Sequence, residues 1–283
     1  MLVIKLDNLT KTFGTTTALR NFSLEIESGQ VVGLLGPNGA GKSTLIKSLA
    51  GGVRPSAGGV EVFGQNPLRQ RRQLAHRFGY MPQAACLYED LSVRDNIRFF
   101  ARLHSAQVST AAIDELLEFL GMSEKRDERV QHLSGGMKTR VSLACAMIHQ
   151  PNILFLDEPT AGLDLSLKRI LWSLFKRLAG EGKTLLISTH LMDEALLCDR
   201  LAIIREGQLL VHDTPAQIIA RGQVKIELEQ PDGKQISQSV AADPVAIADF
   251  LHDYGLDPKV KRLSVERESL EDITIAIVDG EQE

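Results

Sequence analysis

Three short stretches of this chain have the residue types and spacing for chemistry on phosphate. Gly36-Pro37-Asn38-Gly39-Ala40-Gly41-Lys42-Ser43-Thr44 fits G-x-x-x-x-G-K-[ST], the pattern of a phosphate-binding loop. Glycines at those places let successive backbone N–H groups turn inward as an anion nest, and a following helix adds its positive end. Lys42 is then placed for the β- and γ-phosphates and the Ser43 hydroxyl for Mg²⁺. Further on, Ile153-Leu154-Phe155-Leu156 runs into two carboxylates, Asp157 and Glu158. Asp157 is expected to hold Mg²⁺, through water, and Glu158 to polarise a water for attack on a γ-phosphate. Thr184–Ser188 leads in the same way to Thr189 and His190, where an imidazole could contact that phosphate and orient the water. The chemistry implied is hydrolysis of a nucleoside triphosphate. The other histidines, His76, His104, His132, His149, His212 and His252, read as structural.

Such residues need a scaffold, and the flanking pattern predicts one. Val31–Leu35 is an apolar strand before the glycine loop, and Leu45–Ala50 is helical after it. Strand Ile153–Leu156, helix Leu167–Ala179, strand Thr184–Ser188, helix Met192–Cys198 and strand Leu201–Ile204 alternate as a mostly parallel sheet covered by helices. In such a sheet ligands sit at the carboxyl ends of strands, where all three stretches fall. Val3–Leu6, Phe22–Ile26 and Val60–Phe63 predict an antiparallel patch beside it. Arg69–Arg77 reads as a basic helix, either solvated or in contact with phosphate or a partner. Gly79–Gln83 closes a short strand. Ser92 and Asp95 predict a capped helix with Val93, Ile97 and Phe100 inward and a solvated stripe of Arg94, Arg98 and Arg102. Thr110–Leu120 predicts a second helix ended by Gly121, so the region of about 84–150 forms a helical insert. The first domain is expected to span 1–221. The remainder, 222–283, predicts a small α+β domain: strands Val224–Leu228, Ile236–Val240 and Val260–Val265, a turn at Pro231-Asp232-Gly233, and a helix Pro244–Tyr254.

Composition narrows the classes. The chain has 283 residues, 43% of them hydrophobic, enough for one large α/β domain and an appendage. A net charge of −4 speaks against general nucleic-acid binding. Cys86, Cys145 and Cys198 lack metal-like spacing and read as reduced, mostly buried thiols of a cytosolic protein. Met1–Lys5 reads as a strand, not a signal peptide. No apolar run approaches the roughly 18–20 residues that span a bilayer, so a membrane role requires a partner.

Leu133-Ser134-Gly135-Gly136-Met137 opens another helix, with Ser134 as N-cap and apolar Val141, Cys145 and Ile148. It is either an ordinary capped helix or a second anion-binding helix end. With this stretch included, the ordered set Gly36–Thr44, Gln83, Leu133–Gly136, Asp157-Glu158, Asp164 and His190 resembles the ATP-binding subunit of ABC transporters over about residues 1–220. The resemblance implies a P-loop NTPase fold, ATP and Mg²⁺ as ligands, and a head-to-tail dimer. Each ATP would lie between the loop of one subunit and Ser134, Gly135 and Gly136 of the other, with Asp164 crossing the interface. It implies that Gln83 reaches Mg²⁺ and water and couples the site to the insert. Phe13 matches the place where the family stacks an aromatic on adenine; a core role is the alternative. Leu133–Met137, Tyr88–Asn96 and Ser269–Asp272 resemble the exporter-type branch, whose partners are separate polytopic membrane subunits. The subunit is then expected on the cytoplasmic side of the membrane. An importer subunit is the alternative. A soluble ATPase acting on DNA or ribosomes fits less well, because the chain has one phosphate loop and no sustained heptads. The tail could extend the dimer, regulate hydrolysis or cap a sheet edge.

Overall fold

A computed structural model describes residues 1–104, 106–230, 232–254 and 260–280 of the chain. It divides into two compact units, Met1–His212 and Asp213–Glu283.

The first unit opens with a hairpin of β1 (Leu2–Phe13) and β2 (Thr16–Glu27), then β3 (Val31–Leu35), α1 (Lys42–Leu49), β4 (Ala57–Val62), α2 (Arg71–Leu74) and β5 (Phe78–Met81). The insert follows as α3 (Val93–Leu103), α4 (Thr110–Phe119) and α5 (Gly135–Met147). The unit closes with β6 (Ile153–Asp157), α6 (Leu165–Gly180), β7 (Thr184–Ser188), α7 (Met192–Ala195), β8 (Arg200–Arg205) and β9 (Gln208–Asp213). Strands β2-β1-β4 form the expected antiparallel sheet. The larger sheet has the order β5-β6-β7-β3-β8-β9. Its first five strands are parallel.

Burial explains both patterns. Every residue of β3, β6 and β7 is buried, so those strands read as continuous apolar runs. Strand β2 buries Phe22, Leu24 and Ile26 and exposes the residues between, so it alternates. One core joins the sheets: Leu6, Leu9 and Phe22 from the antiparallel sheet, Leu45, Ile46 and Leu49 from α1, and Val32, Phe155 and Leu186 from the parallel one. Helix α1 is thus anchored from both sides, which holds the loop before it. In the parallel sheet Ser188 is in register with Asp157 on one side and Leu34 on the other. The carboxyl ends of β3, β6 and β7 therefore lie side by side.

Several expectations are revised. Strand β9 was not anticipated; Glu206 and Gly207, with φ of 49° and 78°, join it to β8 through a type I′ turn. The basic segment is helical only over Arg71–Leu74, and the helix after β7 stops at Ala195. Phe63 lies beyond β4, with φ of 54° and the Arg77 guanidinium 3.5 Å above its ring. The arginine stripe is not simply solvated: Arg94 pairs with Asp114 of α4 at 3.2 Å and with Asp127 at 2.8 Å, tying the insert together. Ser92 caps α3, but the Asp95 carboxylate accepts from its hydroxyl (2.7 Å) rather than completing a capping box. Cys145 and Cys198 are buried; Cys86 is exposed, because it lies in the open segment after β5.

In the second unit, α8 (Pro215–Ile219) is followed by β10 (Gln223–Glu229), β11 (Gln235–Ala241), α9 (Pro244–Tyr254), β12 (Arg262–Arg267) and α10 (Leu270–Asp279). The sheet β11-β10-β12 is antiparallel throughout, and Val224, Ile226 and Phe250 form its core with α9. The unit begins at Asp213 rather than near Arg221, because α8 packs on α10. Pro231, placed in a turn by the sequence reading, lies outside the described residues.

Candidate active site

The loop between β3 and α1 is held by close backbone packing. Gly36 has φ of 155°, and a Cβ there would run into the Ile204 carbonyl oxygen. Gly41 has φ of 110°, and a Cβ there would lie 2.6 Å from the Ala18 carbonyl oxygen. Only glycine fits both demands. The β8–β9 turn supports the loop from behind: Gly207 donates its N–H to the Ala40 carbonyl (2.9 Å) and accepts from Arg20 N–H (2.8 Å).

Lys42 is buried at the mouth of this loop. Its Nζ donates to the carbonyls of Gly36 (2.6 Å) and Pro37 (3.1 Å). Burial pulls its pKa below the ordinary lysine value, and the nearby carboxylates of Glu158 and Asp157 work in the opposite direction.

Across the cavity, Ser188 organises the end of β6. Its hydroxyl donates to Asp157 Oδ1 and accepts from Glu158 N–H at 3.0 Å. Asp157 is buried, at 3% exposure. Glu158 adopts a left-handed φ of 53°, a conformation that costs a non-glycine residue about 1–2 kcal/mol. The turn aims its carboxylate at His190, whose Nδ1 lies 3.4 Å from Glu158 Oε1. The carboxylate side chain is 14% exposed and the imidazole 57%, so the histidine faces the open side.

Asn38, Gly39, Ala40, Gly41, Lys42, Ser43, Thr44, Gln83, Asp157 and Glu158 line one cavity of about 390 Å³, with Ala18 as a wall the sequence reading had not named. A larger groove of about 450 Å³ is bordered by Leu116, Met147 and Leu178 together with Glu115, Arg177, Glu181 and Lys183, but no glycine loop opens onto it. The chemistry of the lining, not volume, distinguishes the site. Ser188 was also missed. Its position one strand over from Asp157 was the available signal, and only register reveals it.

Ser134, Gly135, Gly136 and Asp164 do not line that cavity. They form a second group. Ser134 caps α5, Asp164 caps α6 through Leu167 N–H (2.9 Å), and a Cβ on Gly136 would lie 2.8 Å from the Gly162 carbonyl oxygen. That cap and its neighbouring amides hold the Asp164 carboxyl below its ordinary pKa. Phe13 is 50% exposed, with Lys11 Nζ 4.5 Å from its ring centroid, so the core alternative for it fails.

A lining of this kind could bind a polyphosphate and assist hydrolysis of its end. The family model described as ABC transporter matches residues 19–161. The Nod factor export ATP-binding protein I of Paraburkholderia xenovorans is 37% identical over 270 residues, covering 94% of this chain and 84% of that protein. The chain belongs to the ABC transporter family. A solved ATP-binding subunit of an ABC transporter superposes with a TM-score of 0.71 at 27% identity, over 76% of this chain and 91% of its own. A dimeric ATP-binding cassette in a post-hydrolysis state with ADP and phosphate superposes with a TM-score of 0.69 at 25% identity, over 75% of this chain and 98% of its own. The fold is thus the α/β fold of the P-loop ATPases, and the chain is an ABC transporter ATP-binding subunit with ATPase activity. ABC ATP-binding subunits work as dimers with membrane subunits of the transporter. No helix among the described residues of this subunit is long and apolar enough to cross a membrane. An alignment of 270 residues must extend beyond Met1–His212, so the likeness to the curated relative includes part of the second unit.

Proposed function

We propose that this subunit powers an exporter, closing head to tail on a second ATP-binding subunit when ATP is bound and reopening after hydrolysis. The direction is taken from the relatives, which are named as export ATP-binding proteins. The observation that carries the mechanism is the convergence of Lys42, Ser43, Gln83, Asp157 and Glu158 on one cavity. Lys42 exchanges its loop carbonyls for the β- and γ-phosphates. Glu158 accepts a proton from a water as the water oxygen bonds to the γ-phosphorus and the bond to the ADP oxygen breaks. His190, 3.4 Å from Glu158, positions that water and the γ-phosphate.

The donor set fits Mg²⁺: a hydroxyl, an amide oxygen and a carboxylate, from Ser43, Gln83 and Asp157, are hard oxygen ligands. When bound there the ion supplies positive charge to the β- and γ-phosphate oxygens. Phe13 offers an open ring face for adenine. Ser134, Gly135, Gly136 and Asp164 contact the partner subunit's nucleotide, which is consistent with their lying outside the cavity of their own chain. The insert, from Gln83 through α4, passes closure to a polytopic membrane subunit.

The test is Glu158→Gln. ATPase turnover should fall by about 10²–10⁴-fold while ATP affinity is kept, and the protein should run as an ATP-dependent dimer in size exclusion. Turnover like the parent's would remove Glu158 as the base. Pull-down of this variant from solubilised membranes with ATP should bring a polytopic membrane protein; ribosomal or DNA-associated proteins instead would overturn the transporter role.

A further inference from the structure

Behind the cavity lies a buried carboxylate that the mechanism above does not use. Glu194, on α7, is 4% exposed. Its two oxygens are divided between two loops. Oε1 accepts from the Thr160 hydroxyl at 2.6 Å, and Oε2 accepts from the Thr189 hydroxyl at 3.0 Å. Both threonines are buried as well, at 2% and 3% exposure. Thr160 follows Glu158 closely, on the segment where Ala161 N–H bonds back to the Glu158 carbonyl at 3.2 Å. Thr189 directly precedes His190, and its hydroxyl accepts from Leu191 N–H at 3.1 Å, turning the chain around the histidine. Lys168 of α6 lies 3.6 Å from Glu194 Oε1 and supplies the opposite charge.

We infer that Glu194 is a positioning residue for ATP hydrolysis, a clamp across two loops that fixes the separation of Glu158 and His190. Packing alone does not explain it. A buried carboxylate carries a desolvation penalty, and an apolar side chain of similar size would fill the same space without it. What an apolar side chain cannot do is accept hydrogen bonds from both loops at once. With the clamp in place, the span from Thr160 to Thr189 is set by one rigid carboxylate, and the 3.4 Å approach of His190 Nδ1 to Glu158 Oε1 is set with it. Lys168 extends the connection to α6, whose N-cap is Asp164, so the same carboxylate reaches the segment expected to cross the dimer interface. Displacement of reacting groups by about 1 Å can cost on the order of 10²-fold in rate while leaving substrate affinity intact. The clamp therefore acts on turnover, not on ATP binding.

This inference rests on the hydrolytic role proposed for Glu158 and His190, and the experiment separates the two. Steady-state ATPase of the full chain is measured for the parent, Glu194→Ala, Glu194→Gln, His190→Ala and the double variant Glu194→Ala/His190→Ala, with thermal melting of each. Glu194→Ala is expected to lower kcat about 10–100-fold with the KM for ATP within about two-fold of the parent. Glu194→Gln, which keeps one acceptor oxygen, is expected to recover part of the loss. In the His190→Ala background the Glu194 substitution is expected to add less than about two-fold, because both act through one geometry. If Glu194→Ala does not fold, Thr160→Val removes one arm of the clamp with little change in volume and carries the same expectation of lowered kcat at unchanged KM. Parent-like kcat in the folded variants, or losses that multiply fully with His190→Ala, would overturn the clamp. A parent protein with no ATPase activity would instead overturn the hydrolytic reading beneath it.

Discussion

Helices α1 and α5 both begin at glycine-rich turns, and they differ in what satisfies their first amides. The cap of α1 is Gly41, left-handed at φ 110°, with no side chain to accept a bond. The cap of α5 is Ser134, extended at φ −66° and ψ 163°, whose hydroxyl accepts from Met137 N–H at 3.4 Å. The first helix end is left open to an external anion, and its glycines are enforced by the chain's own backbone. At the second, the serine already satisfies one of those amides, Met137 N–H. Its Gly135 has no atom within 4 Å of where a Cβ would stand, so among the described residues nothing requires glycine there. The proposed approach of a second subunit's nucleotide would supply a requirement for glycine there. In the proposed dimer one end is a site by itself and the other is half of one.

Substitutions at the two ends sharpen the contrast. Gly41→Ala should have the largest effect, because the added Cβ meets both a left-handed φ and the Ala18 carbonyl. The expected destabilisation is about 2–4 kcal/mol in chemical denaturation, with loss of ATP binding by isothermal calorimetry. Gly135→Ala should leave the melting temperature unchanged or slightly raised, since alanine favours helix by about 0.5–1 kcal/mol. Its ATPase rate should nonetheless fall about 10-fold, with ATP affinity of the isolated subunit preserved. If its ATPase rate is unaffected, α5 is an ordinary capped helix and the contrast collapses. Ser134→Ala should lower stability by about 1 kcal/mol for the lost cap, less than Gly41→Ala, read as a shift in denaturation midpoint.

The legible parts of this chain were those where chemistry or burial leaves a residue no freedom. Gly36–Thr44 announces itself because a nest of amides needs those glycines in that order, and β3, β6 and β7 do so because strands buried on both faces are apolar except at their ends. Helices α8 and α10 also carried local signals that were passed over. Thr214-Pro215 is an N-cap followed by proline, and Ser269 with Asp272 forms a full capping box. Strand β9 was hidden because its Glu206-Gly207 turn lacks the asparagine or aspartate usual in such hairpins. Ser188 and Glu194 were not legible without the strand register and loop placement. Their importance comes from which strands and loops stand side by side, and a serine or glutamate on its own carries no trace of that.

The seat of Lys42 has a consequence for which nucleotides the loop accepts. Its ammonium is already solvated by the Gly36 and Pro37 carbonyls, so an incoming ligand gains from it only by offering better acceptors in the same place. In the proposed role that offer comes from the β- and γ-phosphates. In that role Lys42 responds to phosphate-chain length, and a ligand lacking those groups gains nothing from it.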